Sequence, residues 1–259
     1  MGRPVNMEQL VVEPPRASIV IPTYNHREQL KGCLDSIVKL TDLSRTDVWV
    51  MANGCKDDTD KVVSSMGAPF HLLSCPEPLG FTKAANIGMA ASSGERIILL
   101  NDDTAILDFT PKDSWIRMLE EPFSDPAMAA TGAIRDVWSK GRYFLVFFCV
   151  MLRRDVVLEM GLLDEAFNPG AGEDTDFCLK VQSRGYKIRQ VPNEHDEWHT
   201  EFPIWHVGGM TSHSVPNWGE VTRRNLGLLE SRYPRTDEDR KLQSDFSRGR
   251  QNVHKWGKK

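Results

Sequence analysis

The sequence predicts an α/β protein with a Rossmann-like, mostly parallel central sheet flanked by helices. Three observations carry this reading. Short apolar runs alternate with segments of helical spacing through the first hundred residues. Polar, turn-forming residues follow the runs, at Thr23 to Asn25, Asn53 to Asp57 and Asn101 to Asp103. Strands that alternate with helices pair in parallel, so these three loops are expected along one edge of the sheet.

The elements follow in order. Ala17 to Ile21 is a β-rich run stopped by Pro22, and His26 to Leu40 carries Leu30, Cys33, Leu34, Ile37 and Val38 at helical spacing. Val48 to Ala52 is a second strand, ended by Asn53-Gly54, and Asp57 to Met66 a short helix. Phe70 to Leu73 reads as a strand, Phe81 to Ala91 as a helix and Arg96 to Leu100 as a fourth strand. Beyond these, Pro111 to Phe123 is expected as a surface helix, and Met128 to Ala133 and Tyr143 to Leu152 as strands. Asp155 to Met160 is a short helix ended by Gly161, Glu173 to Ser183 an amphipathic helix closed by Gly185, and Tyr186 to Val191 a strand. Asn193 to Trp218 is rich in His, Trp, Gly and Pro without periodicity, a pattern more often functional than structural. A polar helix follows Glu220, and the end from Ser247 is basic.

Composition narrows the function classes. The 259 residues are 40% hydrophobic and 26% charged, ordinary for a globular protein, and the net charge of -4 gives no basic field for nucleic acid. The longest apolar run, Tyr143 to Leu152, is about half the ~20 residues that cross a bilayer, so no integral membrane segment is expected. Met1 to Arg16 is polar, bears prolines and lacks a signal-type apolar region. Five scattered cysteines without a Cys-x-x-Cys pair argue for reduced thiols and against structural zinc. The expected place is the cytoplasm, with peripheral membrane contact left open.

The chemistry centres on Asn101-Asp102-Asp103, directly after the run Arg96 to Leu100. Ligands bind at the carboxyl ends of strands in open α/β sheets. Two adjacent carboxylates there repel unless a positive group is present, and a divalent cation on hard oxygen ligands, shared with substrate phosphates, is the usual solution. The plain alternative is a solvated strand exit. Glu173-Asp174 stands where a helix begins, after Asn168-Pro169-Gly170-Ala171-Gly172. Acids there complement the helix dipole, and one of them can serve as a general base.

Several segments together resemble family 2 glycosyltransferases. Val20-Ile21-Pro22-Thr23-Tyr24-Asn25 is similar to that family's opening strand and turn, and Asn53-Gly54-Cys55-Lys56-Asp57 to its second turn. Leu79-Gly80-Phe81-Thr82-Lys83-Ala84-Ala85-Asn86-Ile87-Gly88 resembles its Leu-Gly-Phe-x-x-Ala-x-Asn-x-Gly segment. Leu100-Asn101-Asp102-Asp103-Thr104 resembles the Asp-x-Asp region of rhamnosyltransferase-like members. Gly161 to Phe167, Gly172 to Phe177 and His206-Val207-Gly208-Gly209 resemble the later Gly-Phe-Asp-Glu, Gly-Glu-Asp-x-Asp and His-x-x-Gly motifs. Seven motifs stand in family order between Ala17 and Ser212.

The resemblance implies a GT-A fold and transfer of a sugar, hexosyl or deoxyhexosyl, from a nucleoside diphosphate donor to a glycan, lipid-linked or other acceptor hydroxyl, with inversion. It implies a donor-binding half over residues 17–104, an acceptor half over 105–218, an N-terminal extension over 1–16 and a C-terminal helix and basic tail over 219–259. Asp103 and His206 are then expected on Mn²⁺ or Mg²⁺, with imidazole inclining the site toward Mn²⁺. Asp102 is expected at the ribose or donor sugar, Asp174 as base, and Glu173 holding the acceptor or supporting the loop. Pro22, Thr23, Tyr24, Asn25, Asn53, Asp57, Lys83, Asn86 and Asn101 complete the expected donor site. Ala52 and Cys55 depart from the family's commoner aspartate and serine, which leaves uracil, thymine and guanine donors open.

Rivals come from other classes. A zinc hydrolase on His195, His199, His206 and His213 lacks a Glu directly after His195, and Pro203 limits any helix there. A non-catalytic sugar-nucleotide-binding scaffold would retain the fold without turnover. The tail residues Arg248, Arg250, Lys255, Lys258 and Lys259 offer contact with a polyanion, or serve as a solubilising end.

Overall fold

The computed structural model describes residues 16–191, 202–208 and 215–253. The N-terminal extension before Arg16, the residues His195, Trp198, His199 and His213, and the last basic residues from His254 lie outside the described residues.

In chain order the elements are β1 (Ala17–Thr23), α1 (Arg27–Leu40), β2 (Thr46–Asn53), α2 (Thr59–Met66), β3 (Phe70–Cys75), α3 (Phe81–Ala91), β4 (Arg96–Leu100) and β5 (Thr104–Ile106). Next come α4 (Ser114–Glu120), β6 (Met128–Gly132), β7 (Arg135–Ser139), β8 (Arg142–Leu145), β9 (Cys149–Arg153), α5 (Arg154–Met160) and α6 (Glu173–Ser183). The last are β10 (Lys187–Gln190), β11 (Ile204–His206), α7 (Trp218–Arg232) and α8 (Asp237–Val253). A seven-stranded sheet runs β10-β6-β9-β4-β1-β2-β3. Every pairing is parallel except those of β9, which runs against β4 and β6.

The sheet is buried on both faces, which is why its strands read as continuous apolar runs. Period-two alternation sends Ile19, Ile21, Ile98 and Leu100 to one core with Leu30, Leu34 and Ile37 of α1. Val20, Ile97 and Leu99 go to the other, with Met89 of α3, Phe177 of α6 and Leu229 of α7. Gly88 lets α3 lie close on β1: a Cβ there would fall 2.4 Å from Val20 Cγ1.

Two expectations are corrected, and one ribbon stands beyond them. Tyr143 to Leu152 is two strands, not one. Leu145 ends the β7–β8 hairpin, and Cys149 begins β9 in the main sheet. An unbroken apolar run carries no sign of where pairing changes partner. The helix expected from Pro111 is the shorter α4 followed by a 3-10 turn at Glu121–Ser124, with Pro122 at the junction. The ribbon of β5 with β11 was not expected, since each strand has only three residues and their pairing spans the second half of the chain.

Candidate active site

Parallel register places Thr23 beside Ala52 at the carboxyl ends of β1 and β2, and β4 ends next to β1. The loops leaving these strands form one edge, as the alternation predicts. They wall a cavity of about 650 Å³, whose lining includes Pro22, Thr23, Tyr24, His26, Asn53 and Asn101 to Asp103. A smaller cavity of about 170 Å³ holds Glu173, Asp174 and His206. Phe81, Asn101 and Trp218 line both, so the two meet at a shared neck.

The adjacent acids Asp102 and Asp103 are both buried, and each faces its own imidazole. Asp102 Oδ2 lies 3.1 Å from His26 Nδ1. That hydrogen bond raises the pKa of His26 above its ordinary range, against the opposing effect of burial. Asp103 Oδ2 accepts the Gly208 amide at 3.0 Å, and its carbonyl accepts the Val207 amide at 3.1 Å. These bonds draw the segment around His206 onto the end of β4. Asp103 Oδ1 stands 3.1 Å from His206 Nε2. The contact is poorly aligned, and Oδ1 is a buried oxygen without a hydrogen-bond donor. Burial pushes the Asp103 carboxyl up, but His206 and the Gly208 amide outweigh it and hold the pKa below the usual carboxylate range. The His206 ring is fixed by stacking on Phe148, with centroids 4.3 Å apart and planes within 4°.

This pair fits a divalent cation. Two neighbouring ligands at ~2.1 Å from an octahedral ion stand roughly 3 Å apart. An orphaned carboxylate oxygen and a ring nitrogen at that separation are suitable donors. Among the described residues no three His, Cys, Asp or Glu side chains converge as a metal cage. A two-ligand site is the kind that leaves positions for phosphate oxygens and water.

Glu173 and Asp174 open α6 behind a loop of unusual backbone. Gly170, Ala171 and Gly172 have φ of 154°, 72° and 108°. For Ala171 the left-handed region costs roughly 1–2 kcal/mol. At Gly172 a Cβ would crowd Phe167 and Leu229 at 3.0 and 3.1 Å. The two acids differ in their partners. Asp174 Oδ1 accepts the Thr175 amide at 2.6 Å and hydroxyl at 3.2 Å, and the Phe147 amide also favours its charged form. Glu173 Oε2 is buried with no partner. Burial, then repulsion from Asp174, pushes Glu173 up to about 8. Desolvation also raises Asp174, but its amide donors work the other way. The negative charge of the pair therefore falls on Asp174 and the proton on Glu173.

Four expected donor-site residues stand outside the cavity walls, and the geometry gives them other work. Asp57 Oδ2 caps α1 by accepting the Arg27 amide at 2.8 Å, in place of a side-chain cap from His26. Asn25, at φ 55°, accepts the Lys56 amide at 2.7 Å and ties the first loop to the second. Asn86 is buried and bonds both backbone groups of Leu163, at 2.9 and 3.0 Å, so its amide is fully used within the protein. Lys83 is half-buried, and its backbone faces Asn168. Asn53 does line the cavity, with Oδ1 accepting the Leu79 amide at 2.7 Å. Sequence reasoning missed His26 and Phe81. The signal for His26 was an ionisable side chain on the first strand-end loop.

The chain is similar to known proteins of one family. The model of "Glycosyl transferase family 2" matches residues 18–148, just over half of the chain. The chain belongs to family 2 of the glycosyltransferases and has the GT-A fold. An N-acetylglucosaminyltransferase of Rhizobium sp. (strain N33) is 30% identical over 220 residues, 69% of this chain and 47% of that protein. The O-antigen biosynthesis protein RfbC of Myxococcus xanthus is 20% identical over 67% of this chain and 16% of its own length. The chain thus spans less than half of the curated relatives it matches. Among solved structures, a mannosyltransferase of Pyrobaculum calidifontis in complex with GDP-Man and Mn²⁺ superposes with a TM-score of 0.59 at 18% identity, over 70% of this chain and 56% of that one. TarS of S. aureus superposes with a TM-score of 0.52 at 15% identity, over 69% of this chain and 35% of its own. No helix among the described residues is long and apolar enough to cross a membrane.

Proposed function

We propose that the protein transfers a hexose or deoxyhexose from a nucleoside diphosphate sugar to an acceptor hydroxyl, by single displacement with inversion. The observation that carries this is the shared neck. A donor-sized cavity ending in Asp102 and Asp103 opens at Asn101 onto a buried acid pair.

In this reading Pro22, Thr23, Tyr24 and Asn53 hold the base end of the donor. Thr23 Oγ1 is buried without a partner on that wall, so a hydroxyl is available there. Asp102, braced by His26, faces the ribose or the sugar. Asp103 and His206 would hold Mn²⁺ or Mg²⁺, which would supply a Lewis acid for the charge that develops on the leaving diphosphate. The neighbouring mannosyltransferase carries Mn²⁺, and the imidazole ligand favours the same ion. Phe81 and Trp218 flank the sugar at the neck.

Asp174 takes the proton of the acceptor hydroxyl as its oxygen attacks the anomeric carbon. Glu173 keeps its own proton at neutral pH and donates it as a hydrogen bond to the acceptor. Because the Asp174 carboxyl is raised, transfer falls off with acid at a higher pH than an unperturbed aspartate would give. The test is to assay release of nucleoside diphosphate from UDP-, dTDP- and GDP-sugars with Mn²⁺. Turnover of one class that is lost in Asp174→Asn supports the reading. Binding without turnover on any acceptor would favour a scaffold.

A further inference from the structure

We propose that α7 is a latch that sets the backbone of residues 167–172 and so aims Glu173 and Asp174, with Asn225 as the positioning residue. The proposal rests on the transferase reading and names how its acid pair is held.

One stripe of α7 carries the contacts. Trp218, Asn225, Leu229 and Arg232 recur at helical spacing, and all four meet the loop or the start of α6. Asn225 is 1% exposed. Its Nδ2 lies 2.8 Å from each of the carbonyl oxygens of Phe167, Gly170 and Ala171, so its two hydrogens serve three acceptors, one of them shared. Its Oδ1 accepts Arg224 Nε at 2.8 Å, and Arg224 Nη2 in turn donates to the Asn168 carbonyl at 2.6 Å. Two neighbouring side chains thus serve four carbonyls of the loop. Leu229 packs against Gly172, and Trp218 beside Gly170. Arg232 bridges Asp164 and Asp176, each at 2.7 Å, with its guanidinium over the Phe167 ring.

The loop needs such a hold. Its three positive φ values end at the residue before Glu173, and one belongs to Ala171. Backbone in that region persists where its surroundings over-determine it. The donor edge rests mainly on β1, β2 and β4, and the loop adds Asn168 and Pro169 to its wall beside Trp218 of α7. Releasing Asn225 should therefore disturb the acid pair foremost, and donor binding less, through Asn168 and Pro169.

The test compares Asn225→Ala with wild type in the full chain. Amide hydrogen exchange over residues 167–175 is expected to quicken at least tenfold, with the amides of β1 and β2 unchanged. Diphosphate release from UDP-glucose, dTDP-rhamnose or GDP-mannose with Mn²⁺, with water as acceptor, is expected to lose at least thirtyfold in kcat with a smaller change in KM. The exposed Arg224→Ala carries the test if Asn225→Ala does not fold. It should quicken the same amides about threefold without lowering the melting temperature by more than a few degrees. Wild-type exchange in both variants, or a rise in KM at unchanged kcat, overturns the latch. A wild type that binds a nucleotide but turns over no sugar, with water or with any hydroxyl acceptor, overturns the transferase reading instead, and the exchange result still decides the latch.

Discussion

The two edges of the site are built by different means. On the donor edge, Thr23, Asn53 and Asn101 to Asp103 leave parallel strands, and the sheet's register aligns them. On the acceptor edge, Glu173 and Asp174 follow a loop with a left-handed Ala171, held by a helix some fifty residues further along the chain. The first edge is a consequence of the fold. The second depends on a few side chains that serve one backbone conformation. Chemistry placed on strand ends is therefore robust to single changes, while chemistry placed on a latched loop is sensitive to changes at a distance.

The largest expected effect lies on the acceptor edge. Asp174→Asn should lower kcat by about 100- to 10,000-fold, the usual contribution of a general base, and leave Mn²⁺-dependent nucleotide affinity within twofold. Steady-state kinetics beside calorimetry separates the two. If both fall together, the edges are not independent. On the donor edge, Asp103→Asn should weaken Mn²⁺-dependent nucleotide binding by about tenfold or more, with thermal stability little changed. The cause would be the loss of a charged oxygen at the proposed cation site.

A titration sharpens the contrast. Glu173 is raised to about 8 in the folded chain, against roughly 4.3 when unfolded. The folded state binds the extra proton between these values. Its contribution is whole below the lower one and is lost as pH rises through the upper one. Wild type should lose on the order of 1 kcal/mol per pH unit across that window. Glu173→Gln should flatten the slope and melt higher than wild type at pH 8, with the gain shrinking toward pH 5. Equal slopes for the two proteins would remove the neutral Glu173 from the account. The smallest effect belongs to Cys55→Ser. Its thiol sits 3.4 Å from both the Thr23 carbonyl and the Asn25 amide, contacts a hydroxyl can also make. Nucleotide affinity should change less than threefold.

The same contrast governs what could be read from the residues. The boundaries of α3, β4 and α6 follow from hydrophobic spacing, and the acids at the end of β4 were visible because a buried strand announces its own tip. The roles of Asp57 and Asn86 were not. Each motif residue satisfies backbone groups that only the folded chain brings near, the Arg27 amide and Leu163. Asn225 is one polar residue among many in its helix, and nothing local marks it as the donor to three distant carbonyls. Pairings such as β5 with β11 leave no local pattern for the same reason.

The most direct test of the account is calorimetry of UDP, dTDP and GDP with and without Mn²⁺, on wild type, Asp103→Asn and Asp174→Asn. The account predicts that one nucleotide class binds wild type in a Mn²⁺-dependent way, that Asp103→Asn loses this binding, and that Asp174→Asn retains it. Binding indifferent to Mn²⁺ and to Asp103, or no binding of any of the three, would contradict it.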